Sequence, residues 1–158
     1  MTPDLKQEKR KELKVSAIEN GTVIDHIPAN FVFQVINILG LNKVQNQIMV
    51  GTNLDSQKYG KKGIIKVSNK YFKSEEINKI ALVAPSATLI VIKEYTVVYK
   101  ANVEIPDRIN RIVKCINPNC ITNHEHVATS FAVIDKSDLR LSCRYCEKIT
   151  KKENIRFI

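Results

Sequence analysis

At 158 residues the chain has room for one sizeable core plus a small module. Hydrophobic residues make up 44%, Gly and Pro number 5 each and Trp is absent, which excludes collagen-like, low-complexity and disordered classes. Lys and Arg outnumber Asp and Glu 25 to 16, and the formal charge of +9 favours solubility and attraction to acidic partners. Much of that excess sits at the ends, in Lys6, Lys9, Arg10, Lys11 and Lys14 and again in Lys148, Lys151, Lys152 and Arg156. The opening MTPDLKQEKRKELK has no apolar signal-peptide core, and no run approaches the roughly 18 apolar residues of a membrane span. The expected location is cytoplasmic, with no membrane partner.

Val15 to Ile18 and Thr22 to Ile27 read as two short extended pieces separated at Gly21. Pro28 suits a first helical turn, and Val32, Val35, Ile36 and Leu39 recur at helical intervals before Gly40 supplies a stop. Gln47 to Leu54 and Lys62 to Val67 form a strand pair around the turn-rich Asp55 to Gly60. A second helix is expected with Ser74 as N-cap, Glu75 and Glu76 in its first turn, an Ile77, Ile80, Ala81, Ala84 stripe and Pro85 as terminator. Ala87 to Lys93 and Tyr95 to Lys100 are rich in β-branched and aromatic residues, as strands are.

This order is the β-α-β-β-α-β plan with one added strand, so the expected fold class is α+β: a ferredoxin-like two-layer sandwich with two helices on an antiparallel sheet. Ile105 to Arg108 reads as a linker. The expected divisions are a charged arm at 1–13, a sandwich at 14–103 and a small β-rich zinc-binding domain at 104–158.

That last segment holds all four cysteines. Cys115 and Cys120 form C-x4-C, and Cys143 and Cys146 follow after 22 intervening residues as C-x2-C, the spacing of a two-knuckle tetrathiolate site. Short spacing lets each pair grip one ion from a tight turn. Disulfides are disfavoured in a cytosolic chain, and the longer first loop favours zinc over rubredoxin-type iron. Four thiolates close the coordination sphere, so one structural Zn2+ is expected, with His124 and His126 left as solvated loop residues. No Gly-rich phosphate loop or nucleophile elbow is present and only three histidines occur, so catalysis by the chain itself is not expected.

Three segments carry a wider resemblance: KVSAIENGTVIDHIPA at Lys14 to Ala29, LVAPSATLIVIKEYTVVYK at Leu82 to Lys100, and CINPNC with the later LSCRYCEK. Together they resemble the regulatory chain of aspartate carbamoyltransferase over all but about the first dozen residues. The resemblance implies a non-catalytic allosteric subunit of pyrimidine biosynthesis. CTP would be its inhibitor, ATP a competing activator and UTP a further candidate effector. It implies base and ribose contacts from Val15, Ala17, Ile18, Asp25, Tyr95 and Val97, and triphosphate contacts from His26, Lys66 and Lys100. It also implies that the zinc domain docks the catalytic chain through Asn117, Asn119, Arg144, Tyr145 and Glu147. The implied assembly is a dodecamer in which regulatory homodimers, three in all, bridge two catalytic trimers. Ser16, where enteric members carry glutamate, and a longer, more basic N-terminal arm depart from the family pattern. From the charge alone a nucleic-acid-binding zinc ribbon is the competing reading, but few aromatics are interleaved with the basic residues, and nucleic acid is not an expected partner.

Overall fold

The computed structural model of the chain describes residues 17–58 and 60–158, so Val15 and Ser16 lie outside the described residues. The chain divides into two compact units between Val103 and Glu104. No helix among the described residues is long and apolar enough to cross a membrane.

The first unit contains β1 (Gly21–Pro28), α1 (Val32–Ile38), β2 (Ile48–Ser56), β3 (Gly60–Ser68), α2 (Ser74–Val83), β4 (Thr88–Lys93) and β5 (Thr96–Asn102). All sheet pairings are antiparallel, in the order β2-β3-β1-β4-β5. The first four strands thus have the ferredoxin-like arrangement, and β5 is the added strand.

Strand alternation sorts the side chains. A Cβ on Gly63 would fall 1.9 Å from Val32 Cγ2, so the first residue of α1 sits on β3 on the face shared by Gly63, Ile65 and Val67. Ile24, Ile27, Val32, Val35, Ile65, Val67 and Ile80 are buried in the unit's interior. The opposite face takes Lys62, Ile64 and Lys66 by the same period of two. There, Ile18, Val23 and Ile64 form a small buried cluster edged by Met49, Leu54, Ile90 and Ile92.

Four local features differ from the sequence expectation. Pro28 closes β1 opposite Lys62, and a 3-10 turn at Ala29–Phe31 leads into α1. Tyr95 lies outside β5: Glu94 and Tyr95, with φ of 50° and 60°, form the two-residue turn between Lys93 and Thr96, where positive φ matches the twist of the hairpin. Val98 is an extra residue in β5, since the register steps from Val91–Tyr99 to Ile92–Val97. The N-cap of α2 is Lys73, one residue before Ser74. Its extended backbone donates its N–H to Glu76 Oε1 at 3.2 Å, but the Lys73 side chain, a donor only, cannot accept from the first helical N–H groups in return.

The second unit is a four-stranded antiparallel sheet, β6 (Arg108–Asn110), β7 (Ser130–Asp135), β8 (Arg140–Cys143) and β9 (Ile149–Lys151), paired in chain order. Ile109, Ile112, Val113, Phe131, Leu139 and Leu141 are its buried aliphatic and aromatic core, a small one for 55 residues unless a crosslink assists it. The C-terminal segment returns to the first knuckle: Val113 bridges Phe157, and the Lys114 N–H donates to the Arg156 carbonyl at 2.8 Å.

The half-formed cap at the N-terminus of α2 yields a stability prediction. Lys73→Ser completes a capping box with Glu76 and raises the unfolding free energy of the first unit by about 1 kcal/mol. Urea denaturation followed by circular dichroism checks this, and an unchanged or lower midpoint contradicts it.

Candidate functional site

On the sheet face opposite α1, register places the side chains in rows. Met49, Lys66, Val23, Ile90 and Lys100 are successive partners across all five strands. Asp25, Thr88 and Asn102 form the next row, and Gly21, Ile92 and Val97 the row on the other side. Lys66 and Lys100 are three strand spacings apart, about 14 Å, with apolar Val23 and Ile90 between them. Two cations thus flank an apolar floor.

Asp25 organises the charges. Its Oδ1 accepts the Lys62 ammonium at 2.8 Å and the His26 N–H at 2.7 Å, while Oδ2 lies 3.9 Å from His26 Nε2. Burial alone would raise the Asp25 pKa, but the Lys62 hydrogen bond, the His26 N–H and the charges of both neighbours outweigh it and hold the carboxyl below its ordinary value. Burial lowers the Lys66 pKa, and the Asp25 carboxylate acts against that shift. Lys62 belongs to this cluster although sequence reasoning did not select it. The available signal was its position four residues before Lys66, on the same face of an alternating strand.

At the other end, Ala17, Ile18 and Tyr95 line a cavity of about 320 Å3 together with Asn20, Met49 and Asn69. The Tyr95 N–H donates to the Glu19 carbonyl at 2.9 Å and the Glu94 N–H to Asn20 Oδ1 at 3.1 Å, so the hairpin tip is tied to the segment before β1. The structure therefore gathers Asp25, His26, Lys66, Val97 and Lys100 on or beside one sheet face, with Ala17, Ile18 and Tyr95 at its end. Two larger cavities lie elsewhere. One, of about 800 Å3, is bounded by Phe33, Thr52 and Lys61, and the other, of about 590 Å3, adjoins Pro118 and Arg156. Neither collects these residues.

In the second unit the sulfurs of Cys115, Cys120, Cys143 and Cys146 all lie within 4.8 Å of one another. The Cys115–Cys146 separation is 3.6 Å and the Cys120–Cys143 separation 3.8 Å. Four sulfurs at the usual metal–sulfur distance of 2.3 Å from a tetrahedral centre are spaced by about 3.8 Å, so the cage has the right size for one ion. Burial pushes the Cys115 thiol up to about 12 and also raises Cys143. Cys146 is brought to about 7, because hydrogen bonds from the Lys148 N–H, Asn117 and neighbouring thiols overcome its burial. Four thiolates this close repel one another, and a soft dication removes that penalty.

The knuckle polar residues divide. Asn117 is half-buried: Oδ1 accepts the Asn119 N–H at 3.0 Å, while its carbonyl accepts the Cys120 N–H at 3.0 Å and Asn123 Nδ2 at 2.7 Å. It thereby shapes the first loop. Asn119, Arg144, Tyr145 and Glu147 are exposed around the two knuckles, and so are His124 and His126.

The depressed Asp25 pKa fixes a sign. Its ion pair contributes stability at neutral pH that is lost as pH falls through the lowered value. In an NMR titration the His26 amide proton should shift with a midpoint below the ordinary carboxylate value of about 3.9. A midpoint at or above that value contradicts the arrangement.

Comparison with known proteins agrees with this division. The family model described as "Aspartate carbamoyltransferase regulatory chain, allosteric domain" matches residues 13–104. The one described as "Aspartate carbamoyltransferase regulatory chain, metal binding domain" matches residues 107–156. The aspartate carbamoyltransferase regulatory chain of Bacteroides fragilis is 52% identical over 151 residues, covering 96% of this chain and 99% of the relative. Those of Pyrococcus horikoshii and Thermococcus sibiricus are 53% and 54% identical, covering 91% and 92% of this chain and 96% and 95% of the relatives. The chain belongs to the aspartate carbamoyltransferase regulatory chain family and is a non-catalytic subunit whose C-terminal metal-binding domain carries the four-cysteine cluster.

Proposed function

We propose that this regulatory chain binds nucleoside triphosphates on the sheet face opposite α1, with CTP as inhibitor and ATP as competing activator. The observation that carries the reading is the convergence of Asp25, His26, Lys62, Lys66 and Lys100 beside an apolar floor. Lysines present compact charges to phosphate, and Asp25 orients Lys62 while retaining acceptor capacity for ribose hydroxyls. Exposed Val97 and Tyr95 with the adjoining main chain of Ala17 and Ile18 offer a sequence-tolerant surface for a base. Main-chain reading accounts for one site taking both a purine and a pyrimidine. Val15 is assigned to the same contacts by the resemblance alone.

Residues 14–103 are the allosteric domain in this reading, and residues 104–158 dock the catalytic chain through Asn119, Arg144, Tyr145 and Glu147, with Asn117 shaping the knuckle. One Zn2+ on Cys115, Cys120, Cys143 and Cys146 supplies the crosslink that the small core lacks, worth about 10 kcal/mol or more in zinc-finger peptides. The chain acts in the cytoplasm within an assembly of two catalytic trimers and three regulatory dimers.

Two outcomes are expected. Metal analysis gives one zinc per chain, and chelation abolishes the order of 104–158, read as loss of dispersed amide resonances from β7 to β9. Less than one zinc, or a chelated chain that keeps those resonances, contradicts the metal role. In calorimetric titrations, Lys66→Ala and Lys100→Ala each weaken CTP binding by about ten- to a hundredfold, the range for lost charge-assisted hydrogen bonds, while Lys43→Ala on the exposed surface leaves it unchanged. Equal weakening by all three, with binding abolished by moderate salt, identifies mere polyanion attraction and sinks the nucleotide reading.

A further inference from the structure

His26 has a backbone that few non-glycine residues adopt, with φ at 57°. It occupies a bulge. The register of β1 against β3 steps from Ile24–Ile65 to Ile27–Gly63, so Asp25 and His26 together oppose the single residue Ile64. Pairing of β1 with β4 ends one residue earlier, at Asp25–Thr88. The His26 peptide is accordingly held by side chains. Its N–H donates to Asp25 Oδ1 at 2.7 Å, and its carbonyl accepts the hydroxyl of Ser86 at 3.0 Å.

Ser86 comes from a distant part of the chain. It is half-buried, 60 residues on, in the turn between α2 and β4, which is closed by the Ala87 N–H donating to the Ala84 carbonyl at 3.0 Å. We propose that Ser86 is a positioning residue for the phosphate end of the nucleotide site: its hydroxyl fixes the His26 carbonyl, keeps the bulge in its left-handed form and so presents the imidazole beside Asp25 and Lys62. The proposal rests on the nucleotide reading given above. Ser86 itself touches no ligand in this account.

The physical argument is a balance. A left-handed conformation at a non-glycine residue and one net hydrogen bond have free energies of the same order, so removing one tether of the His26 peptide is enough to let the bulge relax. Relaxation to negative φ turns the imidazole away from Asp25. The apolar core of the unit is untouched, because Ser86 packs at its edge with its polar atom on the bulge. An alanine there should change ligand binding far more than stability.

The test uses the full zinc-loaded chain with Ser86→Ala and Ser86→Thr. Calorimetry should show CTP affinity reduced about tenfold in Ser86→Ala, the effect of one hydrogen bond to a positioning group, and near wild type in Ser86→Thr, which keeps the hydroxyl. A second readout is spectroscopic. The chain has three histidines, so the His26 ring resonances of the nucleotide-free protein are read against His124 and His126 as internal controls. They should move in Ser86→Ala and stay in place in Ser86→Thr. Wild-type CTP affinity in Ser86→Ala, or weakened affinity with unmoved His26 resonances, overturns the proposal alone. A wild-type chain that takes up no CTP overturns the nucleotide reading and the proposed phosphate role with it.

Discussion

Helix α1 rests its first residue, Val32, on Gly63, where any larger side chain would collide, and that contact decides which way the sheet faces. Strand alternation does the rest. With Gly63, Ile65 and Val67 turned towards the helix, Lys62, Ile64 and Lys66 must point the other way, and the antiparallel register then brings Val23, Ile90 and Lys100 into the same row. A one-residue slip of β3 would send Lys62 and Lys66 into the core and Ile65 and Val67 out to the opposite face. The core therefore enforces the placement of the charged face, and the face inherits the rigidity of the sheet rather than depending on loops.

The metal-binding unit meets a different constraint. Its apolar core is small, and its two knuckles are irregular loops whose backbone groups are satisfied locally: Asn123 Nδ2 binds the carbonyls of Cys115 and Asn117, and the Cys143 N–H donates to the Lys148 carbonyl. A tetrathiolate ion held there would fasten those loops without offering an open coordination position, which suits a scaffold for protein contacts and not a reaction centre. The two units thus divide the labour of a regulatory chain. One presents a charged, partly apolar sheet face, and the other presents exposed polar loops set by a metal.

Much of this was legible in the sequence, for identifiable reasons. Cysteine spacing forces proximity once the chain folds, so the metal cluster follows from spacing alone. The strands and helices followed from periodicity, and their order gave the sandwich. What escaped were features set by tertiary partners. The Glu94-Tyr95 turn lacks the usual Asn-Gly chemistry, because Glu19 and Asn20 hold it from outside. Lys62 gained a role only when the bulge brought Asp25 within 2.8 Å of it. The bulge is tethered by a hydrogen bond from Ser86, 60 residues away, which no local pattern could announce. Pro28 fitted a helix start equally well, and the pairing of β1 with β3 through Lys62 claimed it for the strand.

In the proposed regulation, nucleotide on the sheet face alters a catalytic partner through the metal-organised unit. The most direct test is reconstitution of the zinc-loaded chain with a matching catalytic trimer, followed by sedimentation and by aspartate saturation curves with and without CTP. The expected result is an assembly larger than the trimer whose saturation curve moves with CTP, by the one to two orders of magnitude or less that a coupling of about 1–3 kcal/mol allows. A trimer that stays free, or an assembly whose aspartate saturation ignores CTP and ATP alike, would contradict it.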